Sequence, residues 1–187
     1  MTLENTAIGY WIFSLLAALW IMIPAYVPNS AAAVLGGGLP IDLGKMHSDG
    51  RRIFGDGKTY RGFFGGMLCG ILAGLVEIWI WPSLGLAALP QQTFLSVTLF
   101  AAGALLGDLF KSFLKRRFGK ERGESWPLAD QYDLLIGSFV LILLVYPQWL
   151  FENITLPIAV CIIVITPILH RVVNIIGYYM GVKEVPW

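Results

Sequence analysis

Five apolar segments constrain the fold of this chain more than any other feature, because each is long enough, or nearly so, to cross the roughly 30 Å hydrocarbon core of a bilayer. The predicted spans are residues 7–27, 62–81, 92–107, 134–151 and 154–176. Charged residues make up only 13% of the 187 residues, about half of what a soluble domain carries. We therefore predict an all-α integral membrane protein in which residues 1–187 form one domain. The third and fourth spans are short and are expected to continue as helices beyond the membrane.

The basic residues lie at one end of these spans. All but two of the 13 Lys and Arg residues fall in two stretches, 45–61 and 111–122, and the others are Arg171 and Lys183. With five spans, both stretches and the C-terminus share one face. The positive-inside rule predicts that this face is cytoplasmic and that the N-terminus is outside. We expect a multi-pass protein of the cell membrane, with functional cytoplasmic loops at residues 28–61 and 108–133, that contacts membrane lipids and no nucleic acid.

The second cytoplasmic loop combines acidic and basic side chains. If the third helix continues into it, Asp108, Ser112 and Lys115 lie on one face of that helix. Lys111 and Arg116 flank the same face. This arrangement places a carboxylate, a hydroxyl and several cations together at the membrane surface.

The same loop contains signals for the start of the fourth helix. Gly119 is expected to end the third helix, Ser125 to act as an N-cap, and Pro127 to lie in the first turn that follows. Asp130 and Asp133 are then spaced i, i+3 and project from one face near the positive end of the helix dipole.

Two carboxylates facing a bed of cations indicate phosphate chemistry. Mg²⁺ accepts a few carboxylate oxygens and completes its shell with water and phosphate oxygens. Lys and Arg side chains neutralise the phosphates. We therefore predict a Mg²⁺ site at Asp130 and Asp133, with Asp108 as a candidate third ligand. The basic residues alone have a simpler explanation, since they also fix topology or bind anionic lipid.

The first cytoplasmic loop contains the run Gly-Lys-Thr, but it is not a P-loop. Arg52 stands where that pattern has its first Gly, and the next helix enters the membrane. A Gly-flanked turn beside a helix N-terminus still suits a phosphate group. We predict that Lys58, Thr59 and Arg61 bind a lipid phosphate or complete a nucleotide site, and that Asn174 at the same end of the last span binds the lipid phosphate as well.

The second span carries Gly62, Gly66, Gly70 and Gly74, which line one helix face with small residues. Such a face lets another helix approach closely. Packing within the protein is the favoured interpretation, and a homodimer interface is the alternative. Glu77 in the same span is a carboxylate at membrane depth, for which snorkelling to the outer interface competes with a direct functional role.

Residues 112–133 resemble the signature of CTP-dependent phosphatidate cytidylyltransferases, the CDP-diacylglycerol synthases. Ser112, Lys115 and Arg116 match the Ser-x-x-Lys-Arg at the start of that signature. Pro127, Asp130 and Asp133 resemble the residues at its end. Three elements depart from the pattern: Lys120-Glu121 replaces Lys-Asp, the His-Gly-Gly element is absent, and Gln131 stands where longer relatives often have Arg. The five-span length, the loop at 57–62 and the closing residues 183–187 are similar to the archaeal branch, the CDP-archaeol synthases, over essentially the whole chain.

The resemblance implies a Mg²⁺-dependent transfer of CMP from CTP to 2,3-bis-O-(geranylgeranyl)-sn-glycerol 1-phosphate, giving CDP-archaeol and pyrophosphate. With this chemistry we assign catalysis to Asp130, Asp133, Lys115 and Arg116, and nucleotide binding to Lys111, Ser112, Lys120 and Arg122. Two other functions stay open. A CDP-alcohol phosphotransferase would need a longer Asp-rich series, and a non-enzymatic membrane protein would use the loops only to bind anionic lipid.

Overall fold

The structure, a computed structural model, describes residues 6–85, 89–121, 123–183 and 185–186. These residues form six α-helices and a 3₁₀ turn: α1 (Ala7–Leu35), α2 (Tyr60–Ile80), the turn Trp81–Ser83, α3 (Phe94–Arg117), α4 (Pro127–Val145), α5 (Pro147–Asn153) and α6 (Leu156–Tyr179). All except α5 are long and apolar enough to cross a membrane. The described ranges contain no β-strand, only two isolated bridges. The predicted all-α fold with five candidate spans is confirmed.

Three helices extend roughly two or more helical turns beyond the predicted spans at one end of the bundle. α1 continues to Leu35 and α3 to Arg117, and α4 begins at Pro127. The loop predicted at 28–61 is therefore the shorter connector 36–59, and the loop predicted at 108–133 shrinks to 118–126. The continuation of α3 was expected, but that of α1 was not; α1 runs through both Pro24 and Pro28.

Close packing compensates for the prolines in α1. Pro28 has no N–H for the carbonyl of Pro24, and a Cβ atom on Gly70 of α2 would lie 2.8 Å from that carbonyl oxygen. The second helix therefore covers backbone that the prolines leave unbonded. Gly66 and Gly74 are buried against α1 and α3 in the same way. The prediction that the glycine face packs within the protein is confirmed.

The end of the fourth span was predicted wrongly. α4 ends at Val145 instead of residue 151, and the separate short helix α5 begins at Pro147. Tyr146 lies between them with φ −139° and ψ 55°. The reason is local, because the residue before a proline is pushed away from helical dihedral angles.

α3 is the central helix and packs against α1, α2 and α4. Its contact with α4 depends on glycine on both sides. A Cβ atom on Gly107 would lie 2.0 Å from the carbonyl oxygen of Asp133, and one on Gly137 would lie 2.2 Å from that of Gly103. The Ser138 hydroxyl donates to the Phe100 carbonyl oxygen at 2.9 Å across the same contact. This close approach brings the basic residues of α3 against the acidic start of α4.

The opposite end of the bundle is closed by tryptophan side chains. The indole N–H groups of Trp20, Trp81 and Trp149 donate to the carbonyl oxygens of three consecutive residues, 90, 89 and 91 respectively, each at 3.0 Å. They fix the connector before α3. The polar cluster described below lies at the other end, which we call the basic end.

Glu77 is 3% exposed, and neither of its carboxylate oxygens has a hydrogen-bond partner among the described residues. Glu77→Leu is expected to raise the free energy of unfolding by about 1–3 kcal/mol, because it removes a buried polar group that lacks a partner. Thermal unfolding in detergent measures the change, with Glu152→Leu on the exposed surface as the control. A lower melting temperature for the Glu77 variant would show that this carboxylate has a stabilising partner.

Candidate active site

One ammonium group organises the polar cluster at the basic end. The Lys111 Nζ atom lies 3.1 Å from Asp108 Oδ1, 3.3 Å from Asp130 Oδ1 and 2.5 Å from Asp133 Oδ2. The Asp133 side chain is only 2% exposed. Two carboxylates of α4 and one of α3 thus converge on a single lysine.

Two more lysines extend the cluster. Lys115 Nζ lies 2.7 Å from Asp130 Oδ1 and donates to the carbonyl oxygen of Glu124 at 2.8 Å. Lys58, from the first connector, pairs with Asp108. Three lysines therefore alternate with three aspartates, and both connectors contribute to one centre, as their composition predicted.

The ends of α3 and α4 hold these side chains in place. Gly119, with φ +74°, ends α3, and the Lys120 N–H donates to the Lys115 carbonyl oxygen at 2.9 Å. The N-cap of α4 is Trp126 and not Ser125, so that prediction was wrong. Asp130 Oδ2 accepts the N–H of the cap residue Trp126 at 2.7 Å, so a carboxylate from within the helix reaches back to the cap.

Asp42 shapes the first connector. Its fully buried carboxylate accepts from Arg52 Nη2 at 2.5 Å and from the N–H groups of Phe54 and Gly55 at 2.9 Å each. Burial alone would raise the pKa of Asp42, but the guanidinium and the backbone N–H groups hold it well below its usual range. This folding of the connector positions Lys58 opposite Asp108.

Asp42→Asn is expected to lower the free energy of local opening of the first connector by about 2 kcal/mol, because the amide replaces a charged group that accepts several hydrogen bonds. Amide hydrogen exchange at Phe54 and Gly55 should accelerate accordingly. Since the folded pKa is below the unfolded value of about 4, the wild-type protection is full above that pH and is lost as the pH falls. The Asn variant should lack this pH dependence, and equal exchange in both proteins would contradict the anchoring role.

Arg117 attaches the first connector to α3. Its guanidinium donates to the Arg52 carbonyl oxygen at 2.6 Å and pairs with Asp49 at 2.7 Å. Arg51 donates in return to the Arg116 carbonyl oxygen at 3.2 Å. These contacts make the connector and the end of α3 one wall of the site.

Two cavities meet at the cluster. The inner cavity, of about 270 Å³, combines the three aspartates with apolar side chains such as Phe63, Leu105 and Leu109. The outer cavity, of about 700 Å³, is lined by the first connector and the end of α3. Both cavities are lined by Lys58, Lys111, Lys115 and Lys183.

The structure brings together most of the predicted site residues. The inner cavity is lined by Asp108, Asp130, Asp133, Thr59 and Asn174 in addition to the shared lysines, and the outer cavity by Ser112, Arg116 and Lys120. Thr59 also caps α2, since its hydroxyl oxygen accepts the Gly62 N–H at 3.1 Å. Arg122 lies outside the described residues.

Arg61 is not brought into this group. It lines neither cavity, and its guanidinium donates to the carbonyl oxygens of Leu35 and Gly36 at the end of α1. Helix carbonyls left unpaired at a C-terminus accept such donors. The helix end therefore accounts for the position of Arg61.

Sequence reasoning missed Lys183, although residues 183–187 were recognised as a motif. Its Nζ donates to the Asn174 Oδ1 atom. Asn29 of α1, whose Oδ1 atom is buried without a partner among the described residues, was missed as well. Asn29 stands apart from the other polar site residues in sequence, and the closing motif that contains Lys183 does not by itself indicate that the chain folds back to the site.

The donor set suits a hard cation, although the described residues contain no group of three His, Cys, Asp or Glu side chains arranged as a ready metal site. The point on which Asp108, Asp130 and Asp133 converge is taken by the Lys111 ammonium. Carboxylates that surround one positive charge have the chemistry that Mg²⁺ requires. The chemical type of these side chains therefore suits the predicted Mg²⁺.

Fold and site together define a multi-pass membrane protein with a charged, enzyme-like cavity at one end of its bundle. A family model of CarS-like CDP-archaeol synthases matches residues 11–187. CDP-archaeol synthase of Methanoculleus marisnigri is 76% identical over 166 residues, and that of Methanoregula boonei is 58% identical over 171 residues; each match covers 89% of this chain and the whole relative. The chain belongs to the CDP-archaeol synthase family, whose members are cytidylyltransferases.

A solved structure supports the fold. It is described as an intramembrane enzyme for archaeal membrane lipids biosynthesis and shares 34% sequence identity with this chain. The superposition has a TM-score of 0.69 and covers 86% of this chain and 94% of the other. The archaeal family suggested by the length, the loop at 57–62 and the closing residues 183–187 is thereby confirmed.

Proposed function

We propose that the protein transfers CMP from CTP to 2,3-bis-O-(geranylgeranyl)-sn-glycerol 1-phosphate, producing CDP-archaeol and pyrophosphate in a Mg²⁺-dependent reaction. The observation that carries this proposal is the junction of the two cavities along four lysines. Both substrates are anionic, and the reaction requires that their phosphates meet at one point. A junction lined with ammonium groups at a membrane surface suits that requirement.

The two cavities differ in a way that assigns the substrates. The inner cavity combines carboxylates with the apolar side chains of Phe63, Leu105 and Leu109, as the phosphate end of a lipid would need. The outer cavity has the charged Arg116 and Lys120 and the backbone of the glycine-rich first connector. We assign the lipid phosphate to the inner cavity and the nucleotide to the outer one.

In the proposed reaction an oxygen of the lipid phosphate bonds to the α-phosphorus of CTP. The bond from that phosphorus to the bridging oxygen of the β-phosphate breaks, and pyrophosphate leaves with the electron pair. Lys111 and Lys115 hold phosphate oxygens and neutralise their charge, which is electrostatic stabilisation without a covalent intermediate. Arg116 and Lys120 neutralise the departing pyrophosphate.

Mg²⁺ would be held by Asp130 and Asp133, with Asp108 as the third carboxylate, and would supply further charge neutralisation on the phosphates. Each of these carboxylates lies within 3.3 Å of Lys111 Nζ, so all three reach one cation. The lysine pairs hold the carboxylates close together before the substrates arrive.

The basic end is proposed to face the cytoplasm, with the N-terminus outside. Support comes from the 13 Lys and Arg residues, all of which fall within residues 45–61, 111–122 and 171–183, the stretches that belong to that end. A cysteine introduced at exposed Gly50 should resist an impermeant maleimide in intact cells and react after permeabilisation. Labelling in intact cells would show that the basic end faces outward, which contradicts the proposed orientation.

Pyrophosphate release tests the reaction. Purified protein in detergent is incubated with the lipid phosphate, Mg²⁺ and each of the four NTPs in turn. The synthase is supported if pyrophosphate is released with CTP and with none of the other three nucleotides. EDTA or omission of the lipid should abolish that release. Release of CMP from a CDP-lipid with an added alcohol would instead indicate a phosphotransferase, and no reaction with any nucleotide would favour a lipid-binding protein.

A further inference from the structure

Lys183 differs from the other lysines of the site. Lys58, Lys111 and Lys115 each form an ion pair with an aspartate. Lys183 forms no ion pair with a described carboxylate, and its Nζ donates to the neutral amide oxygen of Asn174. Within the described part of the chain, three of the four ammonium groups are therefore paired with a carboxylate before any substrate binds, and the fourth is not.

The chain beyond α6 is folded so as to place this lysine. Gly181, with φ +71°, reverses the chain, and the N–H groups of Val182 and Lys183 donate to the Gly177 carbonyl oxygen at 2.9 and 3.1 Å. A Cβ atom on Gly177 would lie 3.5 Å from the Cδ and Cγ atoms of Lys183, so the aliphatic stem lies along that glycine. The ammonium group is thus directed back along α6 toward the cavities.

Asn174 fixes the end of the side chain. It is 3% exposed, and its Nδ2 atom lies 3.3 Å from the His170 ring. Burial lowers the pKa of the Lys183 ammonium, and the nearby Lys111 acts in the same direction against the opposing charge of Asp108. Among the described residues this half-buried cation has a neutral amide as its partner and no counter-ion, and an incoming anion would supply one.

We propose that Lys183 is a catalytic residue whose ammonium group binds the phosphoryl group at the junction of the two cavities. This inference rests on the proposed function. Lys183 lines both cavities. Its ammonium group is therefore close to the junction at which, in the proposed reaction, the lipid phosphate attacks the α-phosphorus. Because its charge is not already matched by an aspartate, Lys183 neutralises the non-bridging oxygens as the new bond forms, without first breaking an ion pair.

Two variants separate this role from a structural one. Lys183→Ala is expected to lower kcat at saturating substrates by about 100-fold, the usual order for the loss of one stabilising group in a transition state. Added methylammonium should restore part of the rate. Asn174→Asp keeps the shape and the contact but pairs Lys183 with a carboxylate, so it should also lower kcat while the melting temperature holds or rises. Lys45→Ala, an exposed lysine outside both cavities, is the matched control.

The outcomes are distinct. Near-normal kcat for Lys183→Ala, or a loss that follows the melting temperature and does not respond to methylammonium, would overturn the assignment. If wild-type protein turns over no nucleotide, the proposed function fails and the catalytic role fails with it. Calorimetric binding of pyrophosphate to the wild type and to Lys183→Ala then decides whether Lys183 binds anions at all. Equal affinity of the two proteins would show that it does not.

Discussion

Asp133→Asn is expected to lower CTP-dependent pyrophosphate release by at least about 100-fold, the order observed when one group that stabilises transition-state charge is removed. The side chain is 2% exposed, and its Oδ2 atom lies 2.5 Å from Lys111 Nζ. The amide keeps the shape but removes the charge, so the proposed metal loses a ligand and Lys111 loses a counter-ion. Initial rates at saturating CTP and lipid phosphate measure the loss.

The protein must remain folded for this result to bear on the site. Size-exclusion elution in detergent and thermal unfolding check the fold of the Asp133 variant. Glu152→Gln at the opposite end changes the same chemical group on an exposed surface and should leave the rate unchanged. Near-normal turnover by Asp133→Asn would remove Asp133 from the proposed metal site.

Gly107→Ala is expected to have the largest effect on structure. The added methyl carbon would lie 2.0 Å from the Asp133 carbonyl oxygen and 3.2 Å from the Gly137 Cα atom, and backbone cannot move aside as a flexible side chain does. α3 and α4 must separate, which moves Lys111 and Lys115 away from Asp130 and Asp133. Overpacking of a tight core costs about 1–3 kcal/mol or more, and misplacement of the site by 1 Å can cost about 100-fold in rate.

Gly65→Ala is the matched control, because its methyl carbon would meet the flexible Leu35 side chain at 3.0 Å and not a backbone. Melting temperature and turnover are measured for both variants. Gly107→Ala is expected to lower both the melting temperature and the turnover rate clearly, and Gly65→Ala is expected to change them little. Equal behaviour of the two would show that the α3–α4 contact does not position the site.

Local sequence patterns predicted much of this structure. The apolar segments located the five spanning helices, and the i, i+3 and i, i+4 spacings placed Asp108, Lys115, Asp130 and Asp133 on the correct faces. These features depend on residues within one or two helical turns of each other. The motif at 112–133 carries the same local information, and the comparisons confirm membership of the family whose signature it resembles.

The remaining features depend on contacts between distant segments. Lys58 and Asp108 are 50 residues apart, and the convergence of three aspartates on Lys111 requires the glycine contact between α3 and α4. Lys183 reaches the site only because the chain reverses at Gly181. Ser125 was predicted as the helix cap from residue type, but the helix begins one residue later, with Trp126 as the cap and its N–H donated to the Asp130 carboxylate.

Transfer of label from CTP to lipid tests the central claim most directly. CTP labelled at the α-phosphate and CTP labelled at the γ-phosphate are each incubated with the purified protein, Mg²⁺ and the geranylgeranyl ether lipid phosphate, and the products are separated between organic and aqueous phases. The account predicts that the α label enters the organic phase as a CDP-lipid and that the γ label appears only in pyrophosphate. Folded wild-type protein that leaves the α label entirely in the aqueous phase would contradict it.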